Sequence, residues 1–132
     1  MLLVKTRLGV SSIHGIGLFA DEFIPKGTVI WKYEPSVDLK LTFPQIEALP
    51  ESSREQIQKY TYREHHSNMY VLCGDDARFF NHAPAIANCT DVQNGSLEGD
   101  LTLALRDIEP GEELTCDYAK FDMDLVEGKY TI

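Results

Sequence analysis

The chain is poor in cysteine, in basic residues and in long apolar runs, and each shortage excludes something. Three cysteines, Cys73, Cys89 and Cys116, stand among 132 residues. They form no CxxC pair and no zinc knuckle, and a domain of this length needs no disulfide or metal to be stable. Reduced thiols inside a cell are the simplest expectation. Twelve basic residues against 21 acidic ones give a formal charge of -9. Direct nucleic-acid binding is not expected, because the basic surface it needs is missing. No stretch is long enough for a transmembrane helix, and the opening MLLVKTRLG is too short an apolar run for a signal peptide. A soluble, intracellular protein is expected, with cytoplasm and nucleus both open. The pair Gly15 and Gly17 lacks the third glycine and following helix of a dinucleotide fingerprint, and there is no Walker A segment.

What is present reads as many short strands between glycine and proline turns. Leu2 to Arg7 predicts a strand, Ser11 to Gly17 a loop and Leu18 to Ala20 a second strand. Pro25-Lys26-Gly27 joins a fixed φ to a residue free to take positive φ, so Asp21 to Gly27 is a turn. Thr28 to Tyr33 is β-branched and aromatic, hence strand. Thr42 with Pro44 opens a helix over about Phe43 to Leu49, closed by Pro50. A second helix is expected from Ser52 to Tyr60, capped by Ser52 or Ser53, with Glu55 placed for a capping box. Met69 to Cys73 returns to strand, and Asp75 to Asn94 is read as irregular. Leu97 to Leu105 contains a period-two stretch in which Leu101, Leu103 and Leu105 alternate with Thr102 and Ala104, and Leu114 to Tyr118 makes a last short strand. One domain over 1–132 is expected, with a helical insert at about 36–70.

Four segments, in order, resemble the SET domain family. Gly15-Ile16-Gly17-Leu18-Phe19-Ala20, followed by Ile24-Pro25-Lys26-Gly27, is similar to its glycine segment. Arg78-Phe79-Phe80-Asn81-His82 resembles its RFxNH motif, and Asn88-Cys89 the Asn-Cys that often follows. Asp107 to Tyr118, DIEPGEELTCDY, resembles its DIxxGEELTxDY. The resemblance implies a mostly β, β-clip-like fold: small curved sheets around a knot-like crossing, where the segments carrying Asn81 and Tyr118 meet. It also implies methyl transfer from S-adenosylmethionine to the side-chain amine of lysine in a protein, a histone tail or another basic protein.

By the same resemblance, His14, Gly15, Ile16, Gly17, Arg78, Phe79, Asn81 and His82 are the expected cofactor-binding residues. Gly15 and Gly17 would let backbone approach a ligand closely. Phe79 is also a core candidate, and His82 is not read as a general base. The Asn81 side chain offers a donor and an acceptor to a zwitterionic amino-acid end. Tyr118 is the expected catalytic residue, its phenol oxygen placed to accept weak C–H hydrogen bonds from the methyl group and to orient the amine. Tyr70, Cys116 and Phe121 are the expected substrate-channel residues. Cys116 is smaller than the Phe or Tyr common at its position in the family, which leaves room for more than one methyl. For Glu112 and Glu113, anchoring of the crossing and a solvated turn are both open.

The chain departs from the family at Ala83 to Ala87. The usual serine after Asn-His is Ala83, the proline is displaced to Pro84, and one residue is extra. A catalytically inactive SET-like module, binding cofactor or protein, is therefore the alternative. No cysteine follows Tyr118, so no structural zinc is implied, and His65-His66 has no third ligand at useful spacing. A lysine-containing protein or peptide is the expected partner. A homodimer through the insert or the tail is open.

Overall fold

A computed structural model describes residues 1–64, 67–92 and 100–117. Among the described residues there are four small sheets. Strands β1 (Thr6–Val10) and β2 (Ile16–Ala20) form an antiparallel hairpin. Strand β3 (Val29–Lys32) pairs with β9 (Leu101–Ala104), which pairs with β8 (Cys89–Val92). Strand β4 (Leu39–Leu41) and β5 (Thr61–Arg63) flank β6 (Tyr70–Leu72). The fourth sheet holds only β7 (Asn81–His82) and β10 (Thr115–Cys116), which run parallel.

The first predicted strand is displaced. Leu2 makes an isolated bridge to Trp31 along β3, and the hairpin begins only at Thr6. Apolar content at Leu2 and Val4 signals burial against the core rather than membership of the hairpin. The stretch read as irregular contains a 3₁₀ turn over Asp76–Phe79, then β7 and β8. Two-residue β7 has too few positions to show a period, and Cys-Thr-Asp-Val carries little strand signal.

The helices α1 (Phe43–Glu47) and α2 (Glu51–Tyr60) lie between β4 and β5. Thr42 caps α1 as expected, and Gln45 completes a capping box. The Gln45 amide donates to Thr42 Oγ1 at 3.3 Å, and the Thr42 amide donates to Gln45 Oε1 at 2.8 Å. The expected serine cap of α2 is not used. The helix starts one residue earlier, at Glu51, so Ser52 and Ser53 fall inside its first turn and Pro50 takes the N-cap without a side-chain bond. A fixed proline φ and an acidic residue opposite the helix dipole suit this start.

The larger core cluster joins Leu18 and Ala20 of β2, Ile24, Ile30, Cys89, Ala104, Ile108, Leu114 and Cys116. Ile24 and Ile108 bind each other's main chain, 2.9 and 2.8 Å, so the turn at Pro25 and the turn at Pro110 close on one another. A second cluster, Trp31, Val71, Cys73 and Ala77, fills the space below the insert. Among the described residues no helix is long and apolar enough to cross a membrane.

Candidate active site

Two stretches about thirty residues apart in sequence meet at the parallel pair of β7 and β10. Asn81 stands opposite Thr115 and His82 opposite Cys116. The Ala83 amide donates to the Cys116 carbonyl at 2.9 Å, extending the contact by one bond. Asn88 seals it from the other side. Its Nδ2 donates to the Glu113 carbonyl at 2.8 Å, and its Oδ1 accepts from the Thr115 amide at 2.9 Å. The Asn88 amide donates to Thr115 Oγ1 at 3.3 Å. A buried side-chain amide thus takes the place of one more strand.

The β1–β2 hairpin sets a loop beside this crossing. The Ser11 amide donates to the Gly15 carbonyl at 2.8 Å, closing the loop. Ser11 Oγ accepts from the amides of Ile13 and His14 at 2.9 and 3.2 Å. The two glycines do different work. Gly15 has φ +50°, which a side chain disfavours, and the space where its Cβ would point is open. Gly17 is buried, and a Cβ on it would stand 2.6 Å from Glu113 Oε2. So Gly17 admits Glu113, not a ligand.

Glu113 binds the loop and the crossing at once. Its two carboxylate oxygens accept from Ser11 Oγ at 2.7 and 2.9 Å. Its Oε2 also accepts from Asn81 Nδ2 at 2.8 Å. The same Asn81 nitrogen reaches the carbonyls of His14, 3.0 Å, and Ile16, 3.3 Å. All three partners are acceptors, so the amide orientation is fixed. Its neighbour Glu112 behaves otherwise: it pairs with Arg106 at 3.0 and 3.2 Å and accepts from the Glu109 amide. These bonds, Arg106 first, hold its carboxyl below the usual range.

Successive residues of a strand face opposite ways. Thr115 turns to Asn88, and Cys116 lines a cavity of about 90 Å³ on the other face. Tyr60, Tyr62, Trp31 and Phe80 give this cavity an aromatic wall, with Lys59, Arg78 and Asp91 as its charged groups. Arg78 Nη2 donates to the Cys73 carbonyl at 2.9 Å, and its guanidinium lies 5.6 Å from the centre of the Tyr60 ring. Lys59 Nζ lies 5.4 Å from the same centre. Burial, with Asp100 nearby, pushes the Tyr62 phenol well up. Burial pushes the Cys73 thiol up to about 12. A hydrogen bond with Cys89, then burial, raises Cys116 well above the ordinary thiol range. Neither thiol ionises near neutral pH, so neither is an activated nucleophile.

The SET domain family matches residues 15–119, most of the chain. The chain belongs to the SET domain family. Among solved structures, it is similar to a Plasmodium falciparum protein proposed to be a histone methyltransferase. The two share 21% identity, with a TM-score of 0.60 over 89% of this chain and 95% of that one. At that identity the likeness speaks for the fold. A comparison with curated proteins found no match.

Within the SET fold, the expected residues fall into groups. His14, Gly15 and Ile16 are exposed on the loop, and Gly17 is buried beneath it. Asn81 and His82 lie at the crossing, with His82 Nδ1 3.9 Å from Asp117 Oδ1. Arg78 is in the cavity wall, while Phe79 packs on the core and meets the Tyr60 ring edge-on at 5.8 Å. Cys116 lines the cavity, but Tyr70 does not. Tyr70 is buried beside Phe43, ring centres 6.4 Å apart. Tyr60, at the end of α2, and Tyr62, in β5, line this cavity. Tyr118, Phe121 and the pair His65-His66 lie outside the described residues. Ser11 was missed as an anchoring residue; its only signal was a hydroxyl four residues before a loop glycine.

Proposed function

We propose that the chain transfers a methyl group from S-adenosylmethionine to the side-chain amine of a lysine in a protein, a histone tail or another basic protein. The observation that carries this reading is the crossing itself. Strand β10 ends at Cys116, two residues before Tyr118, and runs beside Asn81 and His82 with an aromatic cavity on its open face.

The residues present suit the cofactor. The exposed loop residues His14 to Ile16, with open space where a Cβ of Gly15 would point, offer a surface that ligand atoms approach without a Cβ in the way at Gly15. That segment, with the Asn81–His82 main chain and Arg78, would hold S-adenosylmethionine. When bound, it supplies a methyl group on a positively charged sulfur, open to direct displacement by a neutral amine.

The rest falls to the chain. Lysine is protonated in water near neutral pH, with a pKa of about 10.4. A narrow cavity walled by Trp31, Tyr60, Tyr62 and Phe80 strips water from the incoming amine. Lys59 and Arg78 repel a second positive charge, and Asp91 opposes them, so the net push is towards the neutral amine. Tyr118 orients the nitrogen. Burial keeps the Cys73 thiol protonated near neutral pH, and a hydrogen bond with Cys89 and burial do the same for Cys116, which disfavours either as a covalent nucleophile and suits direct transfer. Alignment is the main contribution, and placement of this kind is worth several kcal/mol.

The test is a labelled-methyl assay on core histones and on a lysate, with Tyr118→Phe beside the wild type. The wild type is expected to label protein. The variant is expected to bind cofactor with unchanged affinity and to transfer about a hundredfold more slowly, the loss typical of removing one positioned polar group from a reacting centre. Cofactor binding without transfer to any protein would instead mark a SET-like module that has lost catalysis, the outcome to which the altered stretch Ala83 to Ala87 points.

A further inference from the structure

We propose that Glu113 is a positioning residue for the cofactor: it holds the loop Ser11 to Ile16 in its binding shape through a closed ring of hydrogen bonds. This rests on the methyltransferase reading above and adds a residue to it.

The ring is complete in the structure. From Glu113 it runs to Ser11 Oγ, from that oxygen to the His14 amide, from the His14 carbonyl to Asn81 Nδ2, and back to Glu113 Oε2. Ser11 Oγ gives its one hydrogen and accepts two amides, so its bonding capacity is full. Asn81 Nδ2 braces the loop at two carbonyls, two residues apart. The Asn81 side-chain donor is therefore turned inward to the loop, and Nδ2 would act on the ligand through the loop while the Asn81 main chain stays among the groups that would hold the cofactor.

Glu113 is itself held. Its main chain bridges Phe19 of β2, and its carbonyl accepts from Asn88. The loop, by contrast, has little packing of its own: Ser12 through Ile16 are all exposed. Such a segment binds a ligand well only when its ordering does not have to be supplied by the ligand. Gly17 provides an independent lever. The nearest atom its Cβ would meet is the far end of the Glu113 side chain at 2.6 Å, with Ser11 Cβ next at 3.1 Å, so Gly17→Ala presses on the Glu113–Ser11 contact.

The experiment is calorimetry of the full chain with S-adenosylmethionine, joined to steady-state kinetics on a labelled protein substrate. Glu113→Ala is expected to weaken cofactor affinity about tenfold or more, since bonds to a charged group are lost. At saturating cofactor, kcat is expected to stay within about twofold and the KM for protein substrate to hold, the signature of lost ground-state binding. Glu113→Gln, which keeps an acceptor for Asn81, should recover most of the affinity. Gly17→Ala should copy Glu113→Ala, and the double variant should bind no more weakly than either single one, because both act on the same contact. Hydrogen exchange of the amides of Ile13 and His14 should quicken in Glu113→Ala without any ligand. Wild-type affinity in Glu113→Ala, or additive losses in the double variant, would overturn the positioning role alone. A wild-type chain that binds no cofactor would overturn the methyltransferase reading and this role with it.

Discussion

Asn88 and Asn81 are the same residue type in two motifs, and they are used in opposite senses. Asn88 is a main-chain mimic that holds residues 113 and 115, with donor and acceptor both engaged. Its replacement by alanine strands a part-buried carbonyl and a buried amide, so Asn88→Ala is expected to cost about 2–3 kcal/mol in urea unfolding. A loss below about 0.5 kcal/mol would show that the crossing closes without it. The cavity thiol makes a second prediction. Burial pushes the folded Cys73 thiol up to about 12 from an ordinary thiol value of 9.0. Below the lower value both folded and unfolded chains keep the proton. Above it the unfolded chain alone releases one, so stability is lost as pH rises through the window, at about 1.4 kcal/mol per unit from this group. Tyr62 and Cys116 act in the same direction. The Tm should fall steadily above pH 9, and Cys73→Ser should make that fall shallower. At this scale the sequence named the residues without their direction. Which way an amide faces depends on a strand some thirty positions away.

The elements show where local chemistry suffices. The Thr42 cap and Pro44 were legible, because capping is decided within four residues. Thr42→Ala should cost about 1 kcal/mol, while Ser52→Ala should change stability by less than about 0.5 kcal/mol, since Ser52 caps nothing. Equal losses in thermal melts would contradict this assignment. Strand β3 was equally plain from its β-branched and aromatic run. The hairpin start was misplaced by four residues, since Leu2 and Val4 are apolar for the core and not for the sheet. Strands β7 and β10, two residues each, carry no period at all, yet they form the crossing. Their pairing was legible only through resemblance to the family. Tyr70 was expected in the channel because its strand leads towards Arg78; it is buried, with its ring 6.4 Å from that of Phe43 in α1.

As a whole molecule, the chain combines a formal charge of -9 with an aromatic cavity whose near cations are Lys59 and Arg78. On the proposed reading, a net negative charge would draw in a basic protein over long range, and the two cations at the cavity would act only at close quarters on the amine. Steering of this kind weakens with salt, as a surface field does. The SET family match spans residues 15–119, and within it the strand that precedes Tyr118 runs beside the Asn81–His82 pair. The most direct measurement is mass spectrometry of core histones and ribosomal proteins after incubation with the full chain and S-adenosylmethionine. The expected result is a mass increase of one or more methyl groups on lysine ε-amines, absent with Tyr118→Phe. Bound cofactor with every lysine unmodified, or equal methylation by Tyr118→Phe, would contradict it.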